Sequence, residues 1–133
     1  MRIVLDTNVV ASGLLNPHGA PGRVLDAVLA GTHLLLLDDR IRSEYAEVLK
    51  RPRFGFAAAD VAALLRGLES CGESVVAPPL AIALPDADDL PFLEVALAGH
   101  ADRLVTGNPR HYAAGSAKVK LGIVSPTGQF LAE

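Results

Sequence analysis

Arg2-Ile3-Val4-Leu5-Asp6-Thr7-Asn8 opens the chain with a short apolar run that stops on a carboxylate. Fully apolar runs of this length suit strands of a parallel sheet covered on both faces. The pattern recurs in the four leucines Leu34–Leu37 and in residues 104–106 and 119–124, with a weaker run at residues 75–77. Helix-length amphipathic stretches lie between these runs. Pro21 and Gly31 bracket one helix as a first-turn proline and a closing glycine. Asp38 or Asp39 caps a second, which runs toward Arg51 and is stopped by Pro52. Residues 57–68 form a third. A fourth begins around residues 88–91, tolerates Pro91 in its first turn and ends near Gly99. A short last helix follows Ser125-Pro126. Repeated strand–helix alternation predicts crossover units, and hence an α/β fold on a parallel sheet. Residues 77–85 make the longest loop.

The length of 133 residues fits one domain spanning 1–133, with an aliphatic core, since half the residues are hydrophobic and only 5% aromatic. One cysteine, Cys71, excludes an internal disulfide and points to a reducing compartment, so the expected location is the cytoplasm. The N-terminus reads as a strand and not as a signal peptide, and no apolar run is long enough to span a membrane. A net charge of −3 weighs against a bulk electrostatic grip on nucleic acid, although metal-binding carboxylates themselves lower the formal charge.

All strand C-termini of a parallel sheet lie along one edge, where open α/β sheets bind ligands. Asp6 falls there, directly after the first strand, although it also reads as the N-cap of a helix starting near Val9. Glu44 borders the apolar stripe formed by Ile41, Tyr45, Val48 and Leu49, while Glu47 faces solvent. The competing reading makes Glu44 a surface partner of Arg40 or Lys50. Asp86, Asp88 and Asp89 crowd the start of the fourth helix, more acids than one cap needs, and Asp89 shares a face with Leu93 and Ala96. Asn108 follows the fourth strand as an edge residue or simply a turn former. Two carboxylates about 4 Å apart repel by roughly 4 kcal/mol at an effective dielectric of 20. Gathering several therefore implies a divalent cation held by oxygen ligands. His18, His33, His100 and His111 show no zinc-ligand spacing, which leaves Mg²⁺ or Mn²⁺.

Four segments in order, Val4-Leu5-Asp6-Thr7-Asn8-Val9, Ser43-Glu44-Tyr45-Ala46-Glu47-Val48-Leu49, Leu84-Pro85-Asp86-Ala87-Asp88-Asp89 with Phe92-Leu93-Glu94-Val95-Ala96, and Leu104-Val105-Thr106-Gly107-Asn108, resemble a PIN domain nearly end to end. This is the metal-dependent ribonuclease fold that includes VapC-like toxins. The resemblance implies a three-layer fold with a five-stranded parallel sheet flanked by helices. It also implies hydrolysis of RNA by water activated at Mg²⁺ or Mn²⁺. The family's acids fall on Asp6, Glu44 and Asp89, with Asp88 as a neighbouring candidate. Thr7, Asn8, Thr106 and, more distantly, Ser12 become supporting groups. Many relatives carry a fourth acid where this chain has Asn108, so a second metal would bind more weakly. A toxin role implies an antitoxin protein as partner and a homodimer.

Lys50, Arg51 and Arg53, with Arg110, are the basic residues expected at the rim. Few aromatics predict recognition by backbone and shape. One rival is a PIN-fold binding module without catalysis, which Asn108 keeps open. A haloacid-dehalogenase-type phosphatase would want an acid where this chain has Asn8. A receiver-type switch would want paired acids and a late lysine that do not match.

Overall fold

A computed structural model describes residues 1–113, 115 and 121–132. β1 (Arg2–Leu5) leads through α1 (Thr7–Leu15) and α2 (Ala20–Leu29) to β2 (Leu34–Leu37). α3 (Asp39–Leu49), a 3₁₀ turn at Pro52–Phe54 and α4 (Ala58–Cys71) lead to β3 (Glu73–Ser74). A 3₁₀ turn at Ala87–Asp89 opens α5 (Leu90–Ala98). β4 (Arg103–Val105), a 3₁₀ turn at Pro109–Tyr112, β5 (Gly122–Val124) and α6 (Gly128–Ala132) complete the described chain.

The five strands are all parallel in the order β3-β2-β1-β4-β5. β1 is central. Its Val4 and Leu5 align with Leu104 and Val105 of β4, and its Ile3 with Leu35 of β2. Ile3, Val4, Leu5, Leu35, Leu36, Leu37, Leu104 and Val105 are all buried, as the apolar runs require of a sheet covered on both faces. Successive connections leave β1 toward β2 and β3, then return to β4 on its other side. Right-handed crossovers in these opposite directions put α1 to α4 on one face and α5 on the other. The strand order reverses between β1 and β4, which opens a crevice at their C-terminal ends.

The helix ends follow the sequence signals. Asp38 caps α3 by accepting from the Ile41 amide at 3.0 Å. Gly31, with φ at +81°, closes α2: its amide reaches Val28 and that of Thr32 reaches Ala27. At the end of α5 the left-handed position falls one residue beyond the expected Gly99, on His100, whose φ is +54°.

The third strand departs from expectation. It lies at Glu73–Ser74, not at residues 75–77. Val75 still donates its amide to Leu37, but Val76 is 97% exposed. β3 is a two-residue polar edge strand, whose exposed side chains carry no hydrophobic signal. Of the expected fifth strand, Val119 and Lys120 lie outside the described residues.

Candidate active site

Asp6 ends β1 inside the crevice and is only 5% exposed. It stands at the expected sheet edge and also caps α1, which begins at Thr7, two residues before the Val9 expected. Oδ1 accepts from the Thr7 amide at 2.8 Å, and Oδ2 accepts from the Thr106 hydroxyl at 2.7 Å across the β1–β4 junction. Asn8 reaches Oδ2 at 3.3 Å. Burial pushes the Asp6 carboxyl above its ordinary range, against the opposing pull of the Thr106 and Thr7 bonds. Tyr112 is fully buried, and its hydroxyl lies near enough to Asp6 to favour the carboxylate charge. It nevertheless has no partner at hydrogen-bonding geometry.

Tyr45 fixes the approach of α3. Buried at 1% exposure, it donates its hydroxyl to the Leu5 carbonyl at 2.5 Å, which pins the helix against the end of β1. The neighbouring Glu44 therefore stands beside Asp6, and its carboxylate accepts from the Thr7 hydroxyl. Glu44 does not take the surface pairing with Arg40, which bonds Asp38 and Glu94. Burial raises the Glu44 carboxyl, and the charges of Asp6, Asp88 and Asp86 raise it further.

Asp86 caps the 3₁₀ turn by accepting from the Asp88 amide at 2.9 Å. This tight turn aims Asp89 inward while Asp86 and Asp88 stay exposed. The Asp89 side chain is 14% exposed, with its Oδ2 buried and without a hydrogen bond. The His111 Nδ1 lies 3.4 Å from it. Burial, then the charges of Asp6 and Asp86, push the Asp89 carboxyl up to about 6.

These groups line one open pocket of about 360 Å³. Asp6, Thr7, Asn8, Ser12, Glu44, Asp88, Asp89 and Asn108 all reach it, so the structure brings together every expected site residue except Thr106, which acts through Asp6 from beneath. Asn108 is held by its amide on the Thr106 hydroxyl at 3.0 Å, and Gly107 by its amide on Asn8 Oδ1 at 3.0 Å. Of the expected basic residues, Arg51 and Arg53 line the pocket and Arg110 borders an adjoining one, while Lys50 is exposed and lines neither.

The sequence reading named Asp86 among the acids before α5 without giving it a role in the site, and it missed His111, Tyr112 and Phe54. His111 lies three residues beyond Asn108 in a 3₁₀ turn, the spacing that eclipses two side chains, and that was the available signal. A second cavity of about 260 Å³ lies between α3 and α4. It is mostly apolar, and its Arg42 is bonded to Asp39 and to Glu69, the one carboxylate among its described lining residues.

The donor set fits a hard divalent cation. It is oxygen-rich, the charge of Asp6 raises both Glu44 and Asp89, and one buried carboxylate oxygen lacks a partner. As placed, the acids bond to Thr7 and Thr106, and no three His, Cys, Asp or Glu side chains among the described residues converge on a single point.

The family model for the PIN domain matches residues 2–110. The chain belongs to the PIN-domain family. No curated protein matches it. Among solved structures it is similar to a chain in the crystal structure of VapBC2 from Rickettsia felis bound to a DNA fragment from their promoter. Identity there is 17%, with a TM-score of 0.59 over 94% of this chain and 98% of that one, a likeness of fold. Among the described residues no helix is long and apolar enough to cross a membrane.

Proposed function

We propose that this PIN-family protein is a Mg²⁺- or Mn²⁺-dependent endoribonuclease and the toxin component of a toxin–antitoxin pair. The observation that carries the reading is the gathering of Asp6, Glu44 and Asp89 in one pocket at the switch point, each with its carboxyl pushed upward by burial, and those of Glu44 and Asp89 pushed further by neighbouring acidic charge. Folding does not assemble such mutual repulsion without a compensating cation. Asp6, Glu44 and Asp89 would hold the ion, with Asp88 alongside. When bound, the ion lowers the pKa of a water and neutralises charge on the phosphoryl oxygens of RNA.

The chain's own residues prepare that chemistry. Thr106 and the Thr7 amide fix the two oxygens of Asp6, and the Thr7 hydroxyl orients Glu44. Asn8 and Asn108 offer uncharged donors at the mouth. Arg51, Arg53 and His111 are the pocket's cationic or proton-bearing groups, suited to a phosphate backbone. Attack by water needs no protein nucleophile, and leaves a 5′-phosphate and a 3′-hydroxyl.

Family membership and the likeness to VapBC2 support the toxin role and with it an antitoxin partner; the homodimer is proposed with the toxin role. Asn108, uncharged at the edge where many relatives carry an acid, favours a second reading, a PIN-fold binding module. The experiment is incubation of the purified protein with labelled single-stranded RNA in Mg²⁺, in Mn²⁺ and in EDTA, beside Asp6→Asn. Metal-dependent cleavage that disappears in the variant is expected. A folded protein that cleaves in no condition refutes the nuclease and leaves the binding module.

A further inference from the structure

Of the four phenylalanines, Phe54 lines the acidic pocket and Phe56 stands behind it. Phe54 and Phe56 stack face to face, with ring centroids 5.2 Å apart and planes 4° from parallel. The Arg53 guanidinium lies over the Phe54 ring at 4.8 Å from its centroid. Local geometry builds this group. Pro52 starts a 3₁₀ turn, and Gly55 follows with φ at +63°, a left-handed conformation that glycine adopts without strain. That residue brings the two rings onto one side. Arg51, Arg53 and Phe54 then line the same pocket as Asp6, Glu44 and Asp89. Both rings are half-buried against the core at one edge.

We propose that Phe54, backed by Phe56, is a stacking platform for a nucleobase beside the scissile phosphate, a positioning residue that sets the register of the strand in the pocket. The proposal rests on the ribonuclease reading. An acidic pocket repels a phosphodiester until its cation is bound, so affinity must come from the rim. Arg51 and Arg53 supply charge there, and Arg51 is held in place by Glu47 at 2.8 Å. Arg53 is exposed, and its hold on the ring is a weak cation–π contact that a phosphate displaces. As the guanidinium turns to the flanking phosphate, the ring face it covered takes the base. A paired base is already stacked within its helix and cannot reach the ring, so duplex RNA is excluded. On this proposal base stacking adds to the recognition by backbone and shape that the low aromatic content predicts. What matters is where the rings stand, not how many there are.

The test uses an RNA oligonucleotide carrying 2-aminopurine, single-stranded or paired with its complement, titrated with protein in EDTA and in Ca²⁺. Cleavage is followed in parallel in Mn²⁺. Stacking quenches 2-aminopurine in the single strand, which binds more tightly than the duplex. Phe54→Leu weakens that binding about tenfold, a typical loss for one base–aromatic stack, and raises KM with little change in kcat. Phe54→Tyr keeps the ring and restores both. Wild-type affinity and quenching in Phe54→Leu, equal binding of duplex and single strand, or no binding of single strands by the wild type overturns the platform. Phe54-dependent stacking without cleavage in any metal upholds it and defeats the ribonuclease reading instead. Cleavage with no dependence on Phe54 does the reverse.

Discussion

Asp89→Asn should stabilise the protein without metal and destabilise it with metal. The carboxyl rises from 3.8 to about 6 because burial and the charges of Asp6 and Asp86 disfavour its ionised form. A raised folded-state pKa means that the folded protein holds the proton more tightly than the unfolded chain. Metal-free stability therefore increases as pH falls from above 6 toward 4, and this gain is lost as pH rises through 6. Each unit corresponds to about 1.4 kcal/mol, and screening at the open mouth reduces the cost of the ionised group at pH 8 to about 1–2 kcal/mol. Asparagine keeps the shape and removes the charge. In EDTA at pH 8 the variant should melt about 3–8 °C above the wild type, and at pH 4.5 the two should coincide. Mn²⁺ at a hundred times its Kd adds about 2.7 kcal/mol to the wild type and little to the variant, so the order inverts. Differential scanning fluorimetry across pH, with and without Mn²⁺, reads all four corners. A variant that melts below the wild type in EDTA at pH 8, with no pH dependence in the difference, would refute the reasoning.

Other residues make independent predictions. Thr106→Val removes the hydroxyl that donates to buried Asp6 at 2.7 Å, and should cost about 1–2 kcal/mol in urea denaturation at pH 7 and less as the pH falls, because burial raises the Asp6 carboxyl and its protonation weakens the bond that is lost. Glu94 is 3% exposed and accepts from Arg40 and from the Leu80 amide, both at 2.6 Å. Arg40→Met strands that carboxylate and should cost about 2–3 kcal/mol, whereas Glu94→Gln retains an acceptor and should cost about 1 kcal/mol; equal losses on denaturation would contradict the pairing. His100→Gly relieves an exposed left-handed residue and should add about 0.5–1 kcal/mol to thermal stability, with RNA cleavage unchanged.

The fold was legible where burial was complete. Leu34–Leu37 and Arg2–Leu5 announce central strands because both of their faces are covered, and Asp38 and Gly31 mark helix ends because their side-chain or backbone chemistry is local. β3 was not legible. Glu73 and Ser74 pair with β2 at an edge and bond through their side chains to Arg2 and Arg42, polar contacts that leave no hydrophobic pattern, and the hydrophobic run beside them is loop. The carboxylates could be gathered in advance because topology sends every strand end to one edge. The choice among Asp86, Asp88 and Asp89 could not be made from spacing. It depends on a 3₁₀ turn that buries Asp89 and leaves the other two in water. His111 and the stacked phenylalanines were hidden for a similar reason. Their place at the pocket comes from two short turns, after Asn108 and around Gly55, and not from any periodic pattern.

Anomalous scattering from crystals grown with Mn²⁺ tests the central claim most directly. The account predicts a manganese peak in the pocket within ligand distance of Asp6, Glu44 and Asp89, with Glu44 turned from the Thr7 hydroxyl toward the ion, and no peak in Asp89→Asn. An empty pocket in well-ordered wild-type crystals at millimolar Mn²⁺, or a peak bound only elsewhere, would contradict it.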